Sequence, residues 1–248
     1  MLFKQRDIRM AQHEHETPVL SKTAKVYNAL LSRAERVVTS DDIKKVAKQF
    51  KMNARAGLDG LIRNRSLEPV LFKGIYYVRN RDEQELQTIQ MDPLRIIARA
   101  CNAKMGENWY FGLATALKLA GAWGQQTLTT ITIITKKRVQ HSKSSFGGYV
   151  VEFKAISIPS FDSNLRIEGD IRYSAPVRTL LDYAYLGARH GDAVDYTTQI
   201  ISDIPRKDRK RLIEQAEQLV AEYPRLYQIF LARLLMELRN SEVRPNSG

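Results

Sequence analysis

Residues 53–64 constrain this chain more than any other stretch. Ala54, Leu58, Leu61 and Ile62 recur at helical spacing, while Arg55, Asp59 and Arg63 fall together on the opposite side. That pattern predicts a helix with one face on a core and one in solvent, opened by Asn53 as its cap. Before it, Val26, Ala29, Leu30 and Ala34 mark an amphipathic helix starting at Lys22, and a second helix runs to about Phe50. Ser40, followed by Asp41 and Asp42, offers that second helix a hydroxyl cap and two carboxylates for its free amides. Downstream, the β-prone runs 67–71 and 75–78 meet at Phe72-Lys73-Gly74, where glycine permits the turn of a two-stranded hairpin. Pro69 lacks a ladder donor and fits an edge strand. Three helices and a glycine-tipped hairpin in this order predict a winged helix-turn-helix over 21–80.

Charge then narrows the partner. From Leu20 to Asn80 there are thirteen Lys/Arg and five Asp/Glu, within a chain of formal charge +12. A local surplus of eight suits a polyphosphate, and double-stranded DNA is the expected partner. Arg55 and Arg63 are expected to reach base edges, where arginine donates two bonds to guanine, with Asp59 between them. Lys51, Asn53, Arg65 and Lys73 are expected on backbone phosphates. The competing reading pairs Arg55, Asp59 and Arg63 along a solvated face, because they are spaced by four.

An anionic membrane surface would also attract such charge. No run approaches the roughly 18 apolar residues of a membrane span, and the first twenty residues lack the apolar core of a secretory signal. No membrane partner is expected. Cys101 is the sole cysteine, which excludes an intramolecular disulfide or a Cys-rich zinc site and makes a reducing cytoplasm the simplest compartment.

The remainder predicts an α+β chain: the N-terminal winged helix-turn-helix, then a C-terminal mixed α/β domain ending in helices. Residues 1–20 read as a flexible arm, in which His13 and His15 lack a third ligand and suit a solvated tail better than a metal site. Residues 81–91, with Asp82, Glu83 and Glu85, read as a polar linker. Asp92-Pro93 caps and opens the second domain, 92–240. Trp109-Tyr110-Phe111 leads into a short helix through Ala120 closed by Gly121. Residues 128–135, 149–158 and 165–172 read as strands, and 136–148 as a basic Ser/Gly-rich loop in which Gly147-Gly148 signals a hairpin. A helix starts near Ser174 and Pro176. Helical spacing returns at 192–201, 206–222 and 224–240, before a frayed tail at 241–248.

Two further basic groups form an expected secondary surface. Lys136, Lys137 and Arg138 sit in the loop. Arg206, Lys207, Arg209, Lys210 and Arg211 lie on the opening turns of a helix, where the dipole disfavours cations.

Catalytic readings are weak. Glu152-Phe153-Lys154 has the Glu-x-Lys form of half a nuclease metal site, but no Asp or Glu occurs from Gly121 to Val151 to complete it. Neither phosphate-binding glycine motif is present, and His141 and His190 are isolated. No catalytic residue, metal or cofactor is expected, and the chain is not expected to be an enzyme.

The sequence resembles the AbiEi family of type IV antitoxins through "KGIYYVRN", "DPLRIIARA", "WYFGLATALKLAG", "LTTITIITKKRV" and "APVRTLLDYAYLG", spanning about 22–187. Gly74 and Tyr76 match the wing's Gly-x-Tyr. Tyr110, Ala116, Leu117 and Gly121 match the helix after the domain start, and Arg178, Leu180, Leu181 and Asp182 match the Arg-x-Leu-Leu-Asp helix. Gly112 stands where a serine is common. The resemblance implies a transcriptional regulator whose winged helix represses its own promoter at inverted repeats. It also implies a C-terminal domain that helps oppose a nucleotidyltransferase-like toxin. The alternative is a protein-interaction or ligand-sensing module whose winged helix docks a protein.

Overall fold

In the computed structural model, two β-sheets hold one helix between them. The structure describes residues 20–121, 128–190 and 206–225, with Gln228, Leu231, Ala232, Leu235, Met236 and Arg239 beyond them. The arm, including His13 and His15, the helix expected over 192–201 and the tail 241–248 lie outside the described residues, as does the side chain of His190.

The N-terminal unit begins with α1 (Lys22–Leu31), where Ser21 caps by accepting from the Ala24 amide and Val26 and Leu30 are buried. Ser32 ends it, so Ala34 falls outside the helix it was assigned to. A short strand, β1 (Val37–Thr39), follows. It was not anticipated, because three residues are too few to display an alternation. It also moves the cap of α2 (Ser40–Gln49) from Ser40 to Thr39. Thr39 ends the strand with φ −93° and ψ 162°, the extended backbone an N-cap requires, and its side chain and that of Asp42 serve each other's amides. Next come α3 (Ala54–Arg63), β2 (Leu67–Pro69) and β3 (Ile75–Val78). The expected two-stranded wing is thus a three-stranded antiparallel sheet in the order β1-β3-β2, with Pro69 on an edge strand.

Both faces of that sheet are covered. Val38, Leu67 and Val78 join Val26, Leu30, Ile43 and Leu61 beneath the three helices. The alternate residues Ile75 and Tyr77, with Val70, join Ile96, Ile97 and Cys101 of α5 (Pro93–Met105). Asp92 caps α5 and Pro93 lies in its first turn.

Residues 81–91, expected as a polar linker, carry the short helix α4 (Arg81–Glu85) and a fully buried carboxylate, Glu83. Glu83 accepts from the Tyr77 hydroxyl at 2.7 Å and from the Asn80 and Gln90 amides at 2.8 Å, and it pairs with Arg36. Tyr27 adds a hydroxyl to the Arg79 carbonyl at 2.9 Å. The connection is therefore fixed. Burial pushes the Glu83 carboxyl up, but the two amides, the Tyr77 hydroxyl and Arg36 outweigh it and hold the group below the usual glutamate value. A depressed folded pKa gives stability that is present above the unfolded value of about 4.3 and is lost as pH falls through the folded one. We expect the thermal midpoint to fall below about pH 4 and Glu83→Gln to flatten that dependence. Parallel wild-type and variant acid profiles in a melting series would remove Glu83 from the account.

The larger sheet has the order β6-β7-β5-β4-β9-β8. Its strands are β4 (Trp109–Phe111), β5 (Thr130–Thr135), β6 (Lys143–Phe146), β7 (Tyr149–Ala155), β8 (Leu165–Glu168) and β9 (Ile171–Ser174). Three expectations change. Residues 109–111 are an interior strand, not only a lead into a helix. The loop 136–148 contains β6, hairpinned to β7 across Gly147-Gly148. The single strand over 165–172 is a hairpin that turns at Gly169-Asp170. The strands β5 and β7 run parallel, from Thr130 opposite Val150 to Thr135 opposite Ala155.

One face of this sheet packs on α5 and the wing sheet through Trp109, Phe111, Ile131, Ile133 and Phe153. The other packs on α6 (Leu113–Leu119), α7 (Pro176–His190) and α8 (Arg206–Leu219), with Leu231 and Leu235. At Gly112, where the resembling family commonly has serine, an added Cβ would lie 2.3 Å from Ile134 Cγ1. The backbone approach there needs glycine.

A polar group lies inside the second core. Asp182, 0% exposed, accepts from Arg178 Nε at 3.0 Å and from the Tyr110 and Tyr223 hydroxyls at 2.8 Å. Arg178, 1% exposed, also donates to the Ser160 and Ser163 carbonyls at 3.2 Å. Burial raises Asp182, opposed by Arg178 and the phenols. In Arg178 the charge of Asp182 overcomes burial and raises the pKa. What the sequence offered as an ordinary spaced-by-four pair ties α7 to β4 and to the chain after α8.

Candidate nucleic-acid interface

The cap of α3 is made by Asn53, whose side-chain oxygen accepts from the Arg55 and Ala56 amides. That oxygen is thereby occupied, and only the amide nitrogen remains for another contact. Leu61 is buried and Ala54, Leu58 and Ile62 pack against the same core. Arg55, Asp59 and Arg63 are all exposed. Among the described residues no ion pair joins any of the three. The competing reading of a self-paired helix face finds no support in the geometry.

The turns after α2 and α3 share a design. Met52 N–H reaches Ala47 C=O and Lys51 N–H reaches Lys48 C=O. Ser66 reaches Leu61 and Arg65 reaches Ile62 in the same way. Both are Schellman turns, whose C′ residue adopts positive φ and is ordinarily glycine. Here the C′ residues are Lys51 at φ 49° and Arg65 at φ 56°, both exposed. Each cation occupies a strained backbone position where an uncharged glycine would relax. Lys51→Gly and Arg65→Gly are each expected to stabilise the fold by on the order of 1 kcal/mol. Each is also expected to reduce the salt slope of duplex binding by about one. Denaturant melts and salt titrations check the two halves separately, and a Gly variant with an unchanged slope would remove that residue from the phosphate contacts.

Lys73 is exposed at the wing turn beside Gly74, whose φ of 84° the turn requires. Its neighbour Phe72 is drawn inward, its ring centroid 5.5 Å from that of Phe153 on β7. The wing tip thus rests on the second domain. Sequence reasoning missed this contact, since nothing near Phe72 announces a partner 81 positions away.

Four other cations of the N-terminal unit are ion-paired, while Lys22, Lys25, Lys45 and Lys48 are exposed without an ion pair among the described residues. Arg33 pairs with Asp42 at 3.1 Å, Lys44 with Asp41 at 2.9 Å, Arg79 with Glu68 at 2.9 Å, and Arg36 with Glu83. Lys51, Arg55, Arg63, Arg65 and Lys73 have no ion pair among the described residues. Free cations thus lie on α3, its flanking turns and the wing, and also on α1 and α2.

The secondary basic groups separate. Lys136, Lys137 and Arg138 are exposed in the segment after β5, where Val139 packs into the core shared with the wing sheet. Lys210 and Arg211 are exposed on α8, which covers the opposite face of the large sheet. The side chains of Arg206, Lys207 and Arg209 lie outside the described residues. Glu152 accepts from Lys143 at 2.8 Å and lies 3.6 Å from Lys154, so the Glu-x-Lys pair works as an ion-pair ladder. Among the described residues no cluster of three or more His, Cys, Asp or Glu could hold a metal, and no helix is long and apolar enough to cross a membrane.

No protein-family model matches the chain, and no curated protein matches it. Among solved structures it is similar to the protein Rv2827c from Mycobacterium tuberculosis, with a TM-score of 0.61 and 16% identity, covering 90% of this chain and 78% of that one. At that identity the likeness concerns the fold, and it places this chain's α+β architecture beside that of a known structure.

Proposed function

We propose that this protein is a cytoplasmic, non-enzymatic regulator that binds double-stranded DNA through α3, its flanking turns and the wing. One observation carries the reading: Arg55 and Arg63 are exposed and without an ion pair among the described residues on the side of α3 turned away from the core, with Lys51, Arg65 and Lys73 likewise exposed at its flanking turns and the wing. An exposed arginine pair on one helix face has the reach for base edges, and cations at the helix ends and wing suit phosphates. Together with the resemblance to AbiEi antitoxins, this makes the chain's own promoter, at inverted repeats, the proposed operator. A nucleotidyltransferase-like toxin is the proposed target of the same system.

The experiment is a mobility-shift titration of the intact protein against its own upstream DNA and a scrambled duplex of equal length, at two salt concentrations. We expect preference for the native duplex and a log–log salt slope of about −0.9 per phosphate contact. A flat slope with equal affinity for both duplexes would overturn the DNA reading and favour protein docking.

A further inference from the structure

The parallel strands β5 and β7 end side by side at Thr135 and Ala155, and a cavity of about 400 Å³ opens beyond them. Crevices at the carboxyl ends of parallel strands are where α/β sheets commonly receive ligands. This one is lined by Phe153, Val139, Ala155 and Leu186, with Thr135, Ser142, Arg138 and Lys154 as its polar members.

Two of these are chemically unfinished. Thr135 is 1% exposed, yet its Oγ1 meets no hydrogen-bond partner. A buried hydroxyl without a partner forfeits its hydration and is uncommon in native folds, so it needs an explanation. Arg138 is exposed and carries no ion pair among the described residues. Lys154 is already engaged, 3.6 Å from Glu152, which leaves Arg138 as the principal cation. A guanidinium fork matches a carboxylate in two bonds, and a threonine hydroxyl donates one more. The walls otherwise offer an aromatic ring and aliphatic carbons, and the volume falls within the range of small-molecule sites.

We infer that this cavity is a binding site for a small carboxylate with an apolar body, its head on Arg138 and Thr135 and its body against Phe153, Val139 and Leu186. A dianionic phosphate is a poorer match, since among the described lining residues one free cation and mostly apolar walls would leave it under-compensated. The inference is independent of what α3 binds.

Calorimetry and thermal shift on the full chain test it, with naphthoate as the probe, neutral naphthylmethanol as its uncharged counterpart, and inorganic phosphate. We expect naphthoate to bind at one site and raise the melting midpoint, naphthylmethanol to bind about tenfold more weakly, and phosphate to do neither. Arg138→Ala, an exposed change, should weaken naphthoate about tenfold or more. Thr135→Val should weaken it about threefold to tenfold. Thr135→Val should also melt no lower than wild type without probe, because it replaces an unpaired hydroxyl by a methyl group. Absence of naphthoate binding, equal affinity for the alcohol, or wild-type affinity in both variants overturns the inference.

Discussion

A protein carrying Arg55→Ala together with Arg63→Ala is expected to bind its operator at least about tenfold more weakly, while folding and melting as wild type does. Each good bidentate contact to guanine carries about 1–3 kcal/mol of discrimination and about 1.4 kcal/mol is tenfold, so loss of both contacts exceeds that factor. The fold should be indifferent. Both side chains are exposed, no ion pair among the described residues uses them, and the inner face of α3 is left untouched. Alanine also favours helix. The single variants should differ from the glycine variants of the flanking turns, Lys51→Gly and Arg65→Gly, in kind: loss of arginines that read bases relaxes sequence preference, whereas loss of phosphate contacts weakens native and scrambled duplexes alike. Undiminished operator affinity in the folded double variant refutes the assignment of α3 as reading head.

Removal of Asp182 is expected to cost about 3–5 kcal/mol, enough to unfold a marginal domain. Asp182→Ala strands the Arg178 guanidinium, 1% exposed, without its counter-charge and takes the acceptor from the Tyr110 and Tyr223 hydroxyls. The discriminating comparison is Arg178→Met with Asp182→Leu. With both charges replaced by apolar groups of similar size, the double variant should melt above Asp182→Ala, despite changing more atoms. The reverse ranking would show that the network's value lies in its hydrogen bonds to Ser160, Ser163 and the phenols rather than in charge compensation.

What was legible in the sequence follows from how local the determining interactions are. The third helix, its Asn53 cap, the Asp92-Pro93 start of α5 and the edge position of Pro69 rest on neighbours within a few residues, and all four stand. Glu83 sat in a run with Asp82 and Glu85 that is indistinguishable from a solvated linker. Its burial depends on Arg36, 47 positions upstream, and on Tyr77. Tyr223 meets Asp182 across 41 positions, with no local mark of the pairing. At the candidate interface, the spacing put Arg55, Asp59 and Arg63 on one face. Spacing of four fits mutual pairing and open presentation equally, and only the side-chain geometry separates them.

The wing sheet's second face has a consequence for how such chains diversify. Winged helices are often treated as parts exchangeable between proteins, joined wherever a linker falls. In this chain a cut at Asn80 would bare Val70, Ile75 and Tyr77, which otherwise lie against Ile96, Ile97 and Cys101 of α5. A transplanted N-terminal unit could be accepted by this C-terminal half only if it brought the same three side chains, with a ring at position 72 to meet Phe153. Recombination that ignores this seam would yield a sticky half-molecule, whereas substitutions on the exposed side of α3 would leave the seam intact.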